Sequence, residues 1–242
     1  MNFLAYIEKY LAECKIPLSA GMREKFEELG SNLLQDPFYS SVSKIKDEKD
    51  ISEKHFLDSL LPLSLGLNLW NEASKILDLG SGGGFPGFPL AIFFPEKKVT
   101  ALDSKNKSIE FINRIAEKTG ITNIRAISGR AEEFGHEKKF REKFDLVVCR
   151  AVGDFRIILE YCIPFVRVGG FCLFYKGPKI DEEMCGAKNA LEKMKIRAEG
   201  ISVFSKSPPV IPFSRAWILI SKKVETPAVF PRKNGMPASK PL

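Results

Sequence analysis

KILDLGSGGGFPGFPL, residues 75–90, carries the most informative pattern in the chain. Its apolar first half predicts a buried strand, and a run of glycines from Gly80 to Gly87 follows. Glycine lets the chain turn sharply and lets a ligand approach the backbone without a Cβ in the way. The helix predicted beyond the glycines would point its free N–H groups at that ligand. The stretch therefore predicts a cofactor site between a first strand and a first helix; a tight turn without a ligand is the disfavoured alternative.

Short apolar runs alternate with helical segments along the rest of the chain, which is typical of a parallel sheet covered on both faces. The last two runs are joined by the loop Pro208–Pro212 and predict a terminal pair with one antiparallel strand. The sequence thus predicts an α/β, Rossmann-like fold: a mostly parallel seven-stranded sheet with helices on both faces. The predicted strands are KILDLG, KVTALD, NIRAIS, FDLVVCRAV, GFCLFYK, ISVFSKS and RAWILISKK. The predicted helices include KSIEFINRIAEKTG, closed by Gly120, and DFRIILEYCIPFV, closed by Gly169 and Gly170.

Three segments are predicted along the chain. Residues 1–73 form an N-terminal helical extension, and residues 74–224 form the cofactor-binding domain. Residues 225–242 form a basic, Pro-rich tail with too little apolar surface to fold alone.

Two helices are predicted within the N-terminal extension. Ser19 is expected to cap the first, and Ser52 is expected to cap the second, which Pro62 ends. Residues 36–50 between them are predicted to be a loop. The apolar faces of the two helices consist of Met22, Phe26, Leu29 and Leu33 in the first, and of Phe56, Leu57, Leu60 and Leu61 in the second.

Two kinds of cofactor fit a strand–glycine–helix site. The G-x-G-x-x-G spacing that starts at Gly82 matches a dinucleotide fingerprint, which is weak on its own. Asp78 precedes the glycines, where a carboxylate would repel a pyrophosphate but suits the amino group and sulfonium of S-adenosylmethionine. Pro86 and Pro89 also remove N–H donors that a phosphate needs. These residues therefore favour S-adenosylmethionine.

The ends of the next two strands predict further cofactor contacts, because a ligand lies across the carboxyl ends of such a sheet. Asp103 ends the second strand, where its carboxylate can hydrogen-bond ribose hydroxyls. The third strand ends at Ser128, which places Ala131 and Glu132 near the adenine. Glu132 is equally explained as a carboxylate in the first turn of a helix.

Two cations end later strands at the same edge. Arg150 needs a partner there, because an unpaired charge on an apolar strand is costly, and it either forms a structural salt bridge or faces substrate or cofactor. Lys176 occupies the equivalent position on the next strand. Cys149 is predicted to be a core thiol rather than a nucleophile, and His55 and His136 to be packing or surface residues rather than bases. A site with cations and no evident base suits an acceptor that already bears a free lone pair.

Charge and composition narrow the class of protein. The net charge is +7, yet the first 75 residues hold nine Lys/Arg and twelve Asp/Glu, so the positive excess lies in the remainder. This predicts a polyanionic partner, with a solvated basic surface as the alternative. Five cysteines without a CxxC pair indicate reduced thiols, and no signal peptide, membrane-spanning run or metal-ligand spacing is evident. We therefore expect a cytoplasmic protein without a membrane or metal partner.

Taken together, the motifs resemble the RsmG family, also called GidB, of bacterial ribosomal RNA methyltransferases. The matching pieces span nearly the whole chain, and the glycine loop and the tail are the most specific. They are HFLDSL at 55–60, ILDLGSGGGFPGFPLAI, ALDSKNK, SGRAEEF, the strand end Arg150-Ala151-Val152, YKG and FPRKNGMPASKPL. The resemblance implies a class I methyltransferase that uses S-adenosylmethionine to methylate N7 of one guanine in small-subunit ribosomal RNA, free or within the small ribosomal subunit.

The resemblance also implies site residues, position by position. It places the cofactor on Gly80, Phe85, Ala131, Glu132 and Arg150, with Asp103 on the ribose side. With the loop residues above, the predicted cofactor set is Asp78, Gly80, Gly82, Gly84, Phe85, Asp103, Ala131, Glu132 and Arg150. Arg130, Arg150 and Lys176 match positions around the reacting guanine or RNA, and no general base is expected.

The chain departs from the family's pattern at two places. Ser41-Val42-Ser43 stands where Asn-Leu-Thr is usual, which puts in doubt any role of this front loop. Lys107-Ser108 stands where a Lys-Arg pair is usual, which removes one cation from the RNA face.

The basic tail is expected to contact phosphate through Arg232, Lys233 and Lys240. Truncation after Lys223 should therefore weaken RNA binding more than cofactor binding.

Other functions remain as alternatives at this point. The nearest is a methyltransferase acting on another RNA or on a small molecule. An NAD-dependent oxidoreductase is disfavoured by Asp78, and a non-catalytic RNA-binding scaffold by the intact glycine loop. The oligomeric state and the modified guanine are left open.

Overall fold

A computed structural model describes residues 3–150, 153–177, 179–207 and 214–242. Within them, seven strands form one sheet in the order β3-β2-β1-β4-β5-β7-β6. The strands are β1 (Lys75–Leu79), β2 (Lys98–Asp103), β3 (Ile124–Ser128), β4 (Phe144–Cys149), β5 (Val166–Lys176), β6 (Ile201–Lys206) and β7 (Arg215–Ser221). Ala151, Val152 and the predicted loop Pro208–Pro212 lie outside the described residues.

Strand direction confirms the predicted sheet. Strands β1 to β5 are parallel, whereas β7 runs antiparallel to both β5 and β6. Asp103 pairs with Ser128 and Asp78 with Ala101, so the carboxyl ends of β1, β2 and β3 lie side by side. Strands β2 and β3 lie on one side of β1, whereas β4 and β5 lie on its other side. Such folds bind ligands where the strand order switches sides, here between β1 and β4.

Helices cover both faces of the sheet, as predicted. They are α1 (Ala5–Glu13), α2 (Ala20–Gln35), α3 (Glu48–Asp50), α4 (Asp58–Leu60), α5 (Leu69–Glu72), α6 (Gly87–Phe93), α7 (Asn106–Thr119), α8 (Ala131–Phe134), α9 (Phe155–Cys162), α10 (Ile180–Gly186), α11 (Lys188–Lys193) and α12 (Met236–Ser239). The N-terminal helices pack with α6 and α7 on one face, and α9 to α11 pack with the tail on the other. In the described ranges, no helix is long and apolar enough to cross a membrane.

The N-terminal extension confirms one predicted helix cap and corrects the other. Ser19 caps α2, since its hydroxyl accepts a hydrogen bond from the first turn at 3.2 Å. Ser52 is not a cap: it is fully buried, and its hydroxyl donates to the carbonyl of Phe3 at 2.6 Å. The cap is Asp47, which begins α3, and a π-helix (Ile51–Leu57) then leads into α4. The prediction failed because a serine hydroxyl can satisfy a distant carbonyl as well as a local N–H.

An ion pair fastens the extension to the sheet domain. Asp36, at the end of α2, accepts two hydrogen bonds of 2.9 Å from the guanidinium of Arg114 on α7. Lys118 approaches the same carboxylate at 3.4 Å. The bond from Arg114 lowers the pKa of Asp36 to about 2.

The predicted helix DFRIILEYCIPFV is shorter in the structure. Helix α9 ends two residues before Pro164, because proline has no N–H to continue the helical pattern, and β5 begins at Val166. Gly169 and Gly170, expected to close the helix, lie within β5. There they exchange backbone hydrogen bonds of 2.8 and 2.9 Å with Lys222, so they extend the sheet.

Candidate active site

The glycine loop after β1 turns through backbone conformations that other residues rarely adopt. The φ angles are 74° at Gly80, 53° at Gly82 and 91° at Gly84. The N–H of Gly82 donates to Asp103 Oδ2 at 2.9 Å, which fastens the loop to the end of β2. A Cβ at Gly84 would lie 2.4 Å from the ring of Phe88, whereas one at Gly82 would meet nothing within 4 Å. Position 82 therefore requires glycine because of its backbone conformation. Position 84 requires glycine both for its backbone conformation and because Phe88 packs closely against it.

A cavity of about 430 Å³ lies at the carboxyl ends of the central strands. Five of the predicted site residues line it together, and we call it the cofactor cavity. Those five are Gly80, Asp103, Arg130, Ala131 and Glu132. Its other walls include Leu79, Leu102, Ile158, Tyr161 and Ala238. Apolar walls with a few polar groups are typical of a small-molecule site.

Asp103 can serve the loop and a ligand at once. Its Oδ2 accepts from the N–H of Gly82, and its Oδ1 accepts from the N–H of Lys105, each at 2.9 Å. Each carboxylate oxygen has a second lone pair. The side chain is partly exposed at the cavity, so it can also accept from ribose hydroxyls.

Asp78 lies beneath the glycine loop and is completely buried. Its Oδ2 accepts from the N–H of Gly87 at 2.8 Å, while Oδ1 has no hydrogen-bond partner among the described residues. Burial raises the pKa of Asp78 to about 7, although Gly87 and Arg150 act to lower it. A buried carboxylate oxygen without a partner, next in the chain to residues that line the cavity, suits a cationic ligand. S-adenosylmethionine therefore fits the residues present.

Glu132 and its neighbours in α8 form another part of the cavity wall. Glu132 is buried, and its Oε1 accepts from the N–H of Gly235 in the tail at 3.0 Å. Arg130 is exposed and stands immediately before α8. Burial and the adjacent Glu132 raise the pKa of Tyr161 to about 12. Glu132 thus binds tail backbone, and the contact predicted between it and adenine stays a prediction.

The tail folds against the domain and forms part of the cofactor cavity. Ala238 on α12 lines that cavity. Arg232 makes a bidentate ion pair with the fully buried Glu160, with a shortest distance of 2.7 Å. This ion pair gives Arg232 a structural partner within the protein, and the phosphate contact predicted for it stays a prediction. Lys233 and Lys240 are exposed, and their phosphate contacts stay predictions.

Further hydrogen bonds hold the tail in place. Arg141 donates to the carbonyls of Thr226 and Phe230 at 2.8 and 2.7 Å. His136 is exposed, as predicted for a surface residue, and its Nε2 lies 2.7 Å from the carbonyl oxygen of Pro231. Since the tail lines the cavity, its removal is expected to weaken cofactor binding as well, and the larger loss predicted for RNA binding stays a prediction.

A second pocket of about 360 Å³ adjoins the cofactor cavity, and Gly153 lines both. We call it the acceptor pocket. Two of the predicted cations, Arg150 and Lys176, line it, whereas Arg130 lines the cofactor cavity. Its remaining walls are Asp58, Tyr175, Gly177, Glu183 and Arg215.

Arg150 binds the N-terminal extension while it lines the acceptor pocket. Its Nη1 donates to the carbonyl of Lys54 at 2.8 Å and to Asp58 Oδ2 at 3.1 Å. Its guanidinium carbon lies 5.8 Å from the ring centroid of Phe85. Arg150 thus has the carboxylate partner that a structural salt bridge requires, and its predicted contacts with substrate or cofactor stay predictions.

His55 and Phe85 stack with their ring centroids 3.9 Å apart and their planes within 2°. Phe85 is buried and does not line the cofactor cavity. Burial and the charge of Arg150 hold the pKa of His55 well below its usual value, so the ring is neutral. Its Nδ1 lies 3.4 Å from Arg150 Nη2, and its Nε2 lies 3.1 Å from Ser43 Oγ. His55 is thus a packing residue, as predicted, and the front loop contributes Ser43 to its position.

Lys176 is buried and already paired. Its Nζ donates to the carbonyl of Gly153 at 3.2 Å and forms an ion pair with Glu183. It also lies 5.8 Å from the ring centroid of Phe155. Lys176 therefore supports the shared wall of the two sites with its charge balanced.

Cys149 is completely buried, as predicted for a core thiol, and it also lines the cofactor cavity. Cys162 and Cys172 are buried in the same core cluster, and burial raises the pKa of both thiols. Across the described parts of the chain, no group of three or more His, Cys, Asp or Glu side chains is placed to hold a metal ion.

Asp58 and Arg215 are pocket residues that the sequence analysis did not select. Asp58 stands in HFLDSL, where the apolar neighbours determined the prediction, and Arg215 begins β7. The available signal was an acidic residue within an apolar helical segment. A charge in such a place needs a partner, because its burial is costly.

Comparison with known proteins identifies close relatives. Residues 24–211 match the family GidB, described as rRNA small subunit methyltransferase G. The chain is 38% identical over 243 residues to the Ribosomal RNA small subunit methyltransferase G of Desulforamulus reducens, with all of both chains covered. It is 37% identical over 235 residues to the protein of the same name from Streptococcus pneumoniae, with 96% of each covered.

Solved structures show the same fold at low sequence identity. An O-methyltransferase from Bacillus cereus in complex with SAH has a TM-score of 0.55 at 14% identity, covering 89% of this chain and 97% of that one. The O-methyltransferase TomG from Streptomyces achromogenes, in complex with SAM, has a TM-score of 0.54 at 12% identity, covering 89% and 96%. These likenesses confirm the predicted Rossmann-like methyltransferase fold.

Proposed function

Because this chain belongs to the GidB family of ribosomal RNA small-subunit methyltransferases, we propose that it methylates N7 of one guanine in small-subunit ribosomal RNA, in the cytoplasm. Family membership confirms the predicted enzyme class and its cofactor, S-adenosylmethionine. The acceptor pocket supports this choice of acceptor atom. The pocket adjoins the cofactor cavity, and it contains guanidinium groups next to carboxylates that already have ion-pair partners.

The groups around the acceptor pocket can hold an acceptor, but those described are not placed to remove a proton from it. The neutral ring of His55 faces Arg150 through Nδ1. The hydroxyl of Tyr175 donates to the carbonyl of Ser59 at 2.9 Å, and burial holds its pKa well above its usual value. The carboxylate of Asp58 is bound to arginine, and that of Glu183 is paired with Lys176.

Guanine N7 matches such a pocket. It bears an exposed lone pair and no proton, so the enzyme need only align it with the methyl group that S-adenosylmethionine supplies when bound and exclude water. Arginine donors suit guanine O6 and phosphate oxygens. Arg150 should therefore bind one of these oxygens, since a donor on N7 itself would block the lone pair that attacks.

The shape of RNA adds a requirement on the target. In an A-form helix N7 lies in a deep, narrow major groove, where a protein pocket cannot close around the base. The guanine must therefore lie in a loop or leave its stack to enter the acceptor pocket. The positive excess beyond residue 75 supports a nucleic-acid substrate over a small molecule.

The test uses unmodified small-subunit ribosomal RNA, free and assembled into subunits, incubated with the protein and labelled S-adenosylmethionine. Borohydride followed by aniline cleaves RNA at N7-methylguanosine, so we expect label in this RNA and one new cleavage position. Large-subunit RNA is the control and should take up no label. Labelled RNA that resists cleavage would show that the methyl group is transferred to another atom of the RNA. Label found only on other acceptors would favour another RNA or a small molecule as the substrate.

A further inference from the structure

We propose that Asp58 is a positioning residue of the acceptor pocket, which holds Arg150 and Arg215 in the arrangement that the acceptor base requires. The proposal rests on the proposed function. It assigns a catalytic purpose to the N-terminal extension, from which Asp58 comes.

Asp58 bridges two arginines that reach it from different strands. Its Oδ2 accepts from Arg150 Nη1 at 3.1 Å and from Arg215 Nη2 at 3.2 Å, and its Oδ1 accepts from Arg215 Nε at 2.5 Å. The Asp58 side chain is 4% exposed, whereas those of Arg150 and Arg215 are 16% and 28% exposed. The carboxylate is thus the buried centre, and the two guanidinium groups are the parts that reach the pocket.

The bridge spans three neighbouring strands. Arg150 follows β4 and Arg215 begins β7, and β5 lies between these strands. Tyr175 of β5 donates from its hydroxyl to the carbonyl of Ser59, the residue after Asp58. The segment that carries Asp58 is therefore fixed to the edge of the sheet at the pocket.

Removal of the carboxylate charge should disturb both arginines. Two guanidinium groups that share one carboxylate oxygen are close enough to repel each other strongly once that charge is gone, because the surroundings are largely dry. We expect them to move apart and lose the alignment of the acceptor. A misplacement of about 1 Å at a reacting centre can reduce the rate about 100-fold.

Asp36 offers a matched control within the same extension. It too is a buried carboxylate that bridges two cations of the sheet domain, Arg114 and Lys118. Neither Asp36 nor its partners line the cofactor cavity or the acceptor pocket. Asp36→Asn therefore removes a comparable ion pair whose members line neither pocket.

The experiment compares Asp58→Asn with Asp36→Asn in the full chain. Three quantities are measured: the single-turnover rate of methyl transfer to small-subunit ribosomal RNA at saturating reactants, the Kd for S-adenosylhomocysteine, and the melting temperature. Both variants should melt at lower temperature. Only Asp58→Asn should lose about 100-fold in rate, and both should keep the wild-type Kd within about twofold.

A double variant separates positioning from mere stability. If Asp58 acts through the arginines, the rate losses of Asp58→Asn and Arg215→Gln should not multiply when combined, because the residues act as one unit. Multiplying losses, or equal rates for Asp58→Asn and Asp36→Asn, would overturn the proposal. Should Asp58→Asn not fold, Arg215→Gln carries the test: a reduced rate with unchanged Kd supports the proposal, and an unchanged rate refutes it. A wild-type protein without activity on this RNA would instead refute the proposed function.

Discussion

The cofactor cavity and the acceptor pocket lie side by side and share Gly153, but they are built in different ways. The cofactor cavity is formed by strand ends that carry sequence motifs, with a glycine loop whose backbone N–H is held by Asp103. The acceptor pocket is formed by charged side chains from distant parts of the chain, of which Asp58, Arg150 and Arg215 meet in one ion-pair network.

This difference shows how the two sites should respond to mutation. The cofactor cavity depends on backbone conformation, so changes of φ preference and of chain packing should affect it. The acceptor pocket depends on charge and orientation, so it should respond to single side-chain truncations. Residues 149 and 150 stand at the boundary, because Cys149 lines the cavity and Arg150 lines the pocket.

The largest effect is expected for Arg150→Ala. Loss of a donor that is fixed in a largely dry site commonly lowers a rate by about 100-fold to 1,000-fold, and we expect a loss of this size in methyl transfer. Cys149→Ala, the adjacent residue, is the control and should keep most of the activity. An inactive Cys149→Ala protein that is folded and still binds cofactor would revive a covalent mechanism at carbon.

Gly82→Val should weaken cofactor binding by more than about tenfold, because valine is strained at a φ of 53°. No side chain blocks the added atoms, so the effect comes from the loop's backbone. Gly66→Val is a matched control, since Gly66 has a φ of 63° and equally open surroundings outside the site. Calorimetry with S-adenosylmethionine measures both. Equal Kd values in a folded Gly82→Val protein and the wild type would contradict the assignment of the loop.

Truncation after Asn234 removes α12 and with it Ala238 and the hydrogen bond from Gly235 to Glu132. It leaves the Arg232–Glu160 ion pair in place. We expect the Kd for S-adenosylmethionine to rise by up to about tenfold, since one wall of the cavity is lost. The melting temperature should fall, because the buried carboxylate of Glu132 loses a hydrogen bond within the protein. An unchanged Kd would show that the tail only covers the cavity and does not shape it.

The pH dependence of cofactor binding should be an effect of no more than about tenfold. The pKa of Asp78 is raised to about 7, so its carboxylate is mostly protonated below that pH and ionised above it. A cationic ligand favours the ionised form, so affinity should fall by about tenfold between about pH 8 and pH 6. Asp78→Asn should remove this component and leave only the titration of the ligand's own amino group. A wild-type profile identical to that of Asp78→Asn would contradict the role of this carboxylate.

The free energy of unfolding of the ligand-free protein should also depend on the ionisation of Asp78. It should decrease as the pH rises, whereas cofactor affinity should increase. The folded-state pKa of Asp78 lies above its ordinary value, so the folded protein binds a proton more tightly than the unfolded chain. This contribution is present at acidic pH and is lost as the pH rises through about 7.

The fold was predictable because its signals are local. Apolar runs and glycines predict the strands and the loop, and Gly120, with its φ of 61°, ends α7 as expected. The errors also have local causes. Ser52 found a distant carbonyl, and Pro164 ended a helix whose apolar pattern continues beyond it.

The site was predictable in part, for a related reason. Residues that follow strand ends, such as Asp103 and Glu132, meet in one cavity because the sheet is parallel. The pairing of Asp58 with Arg150 and Arg215 has no local signal, since it depends on how the extension packs against the sheet. The tail's place beside Glu132 likewise follows from tertiary packing, which a count of its basic residues does not reveal.

The measurement that tests the account most directly is the Kd of S-adenosylhomocysteine for Arg150→Ala beside the wild type. It should be made at about pH 8.5, so that Asp78 is ionised even after the loss of the neighbouring cation. Arg150 lines the acceptor pocket and not the cofactor cavity, so we predict Kd values equal within about twofold for a variant that has lost methyl transfer. A Kd raised about tenfold or more would place Arg150 in the cofactor site and contradict the division into two sites.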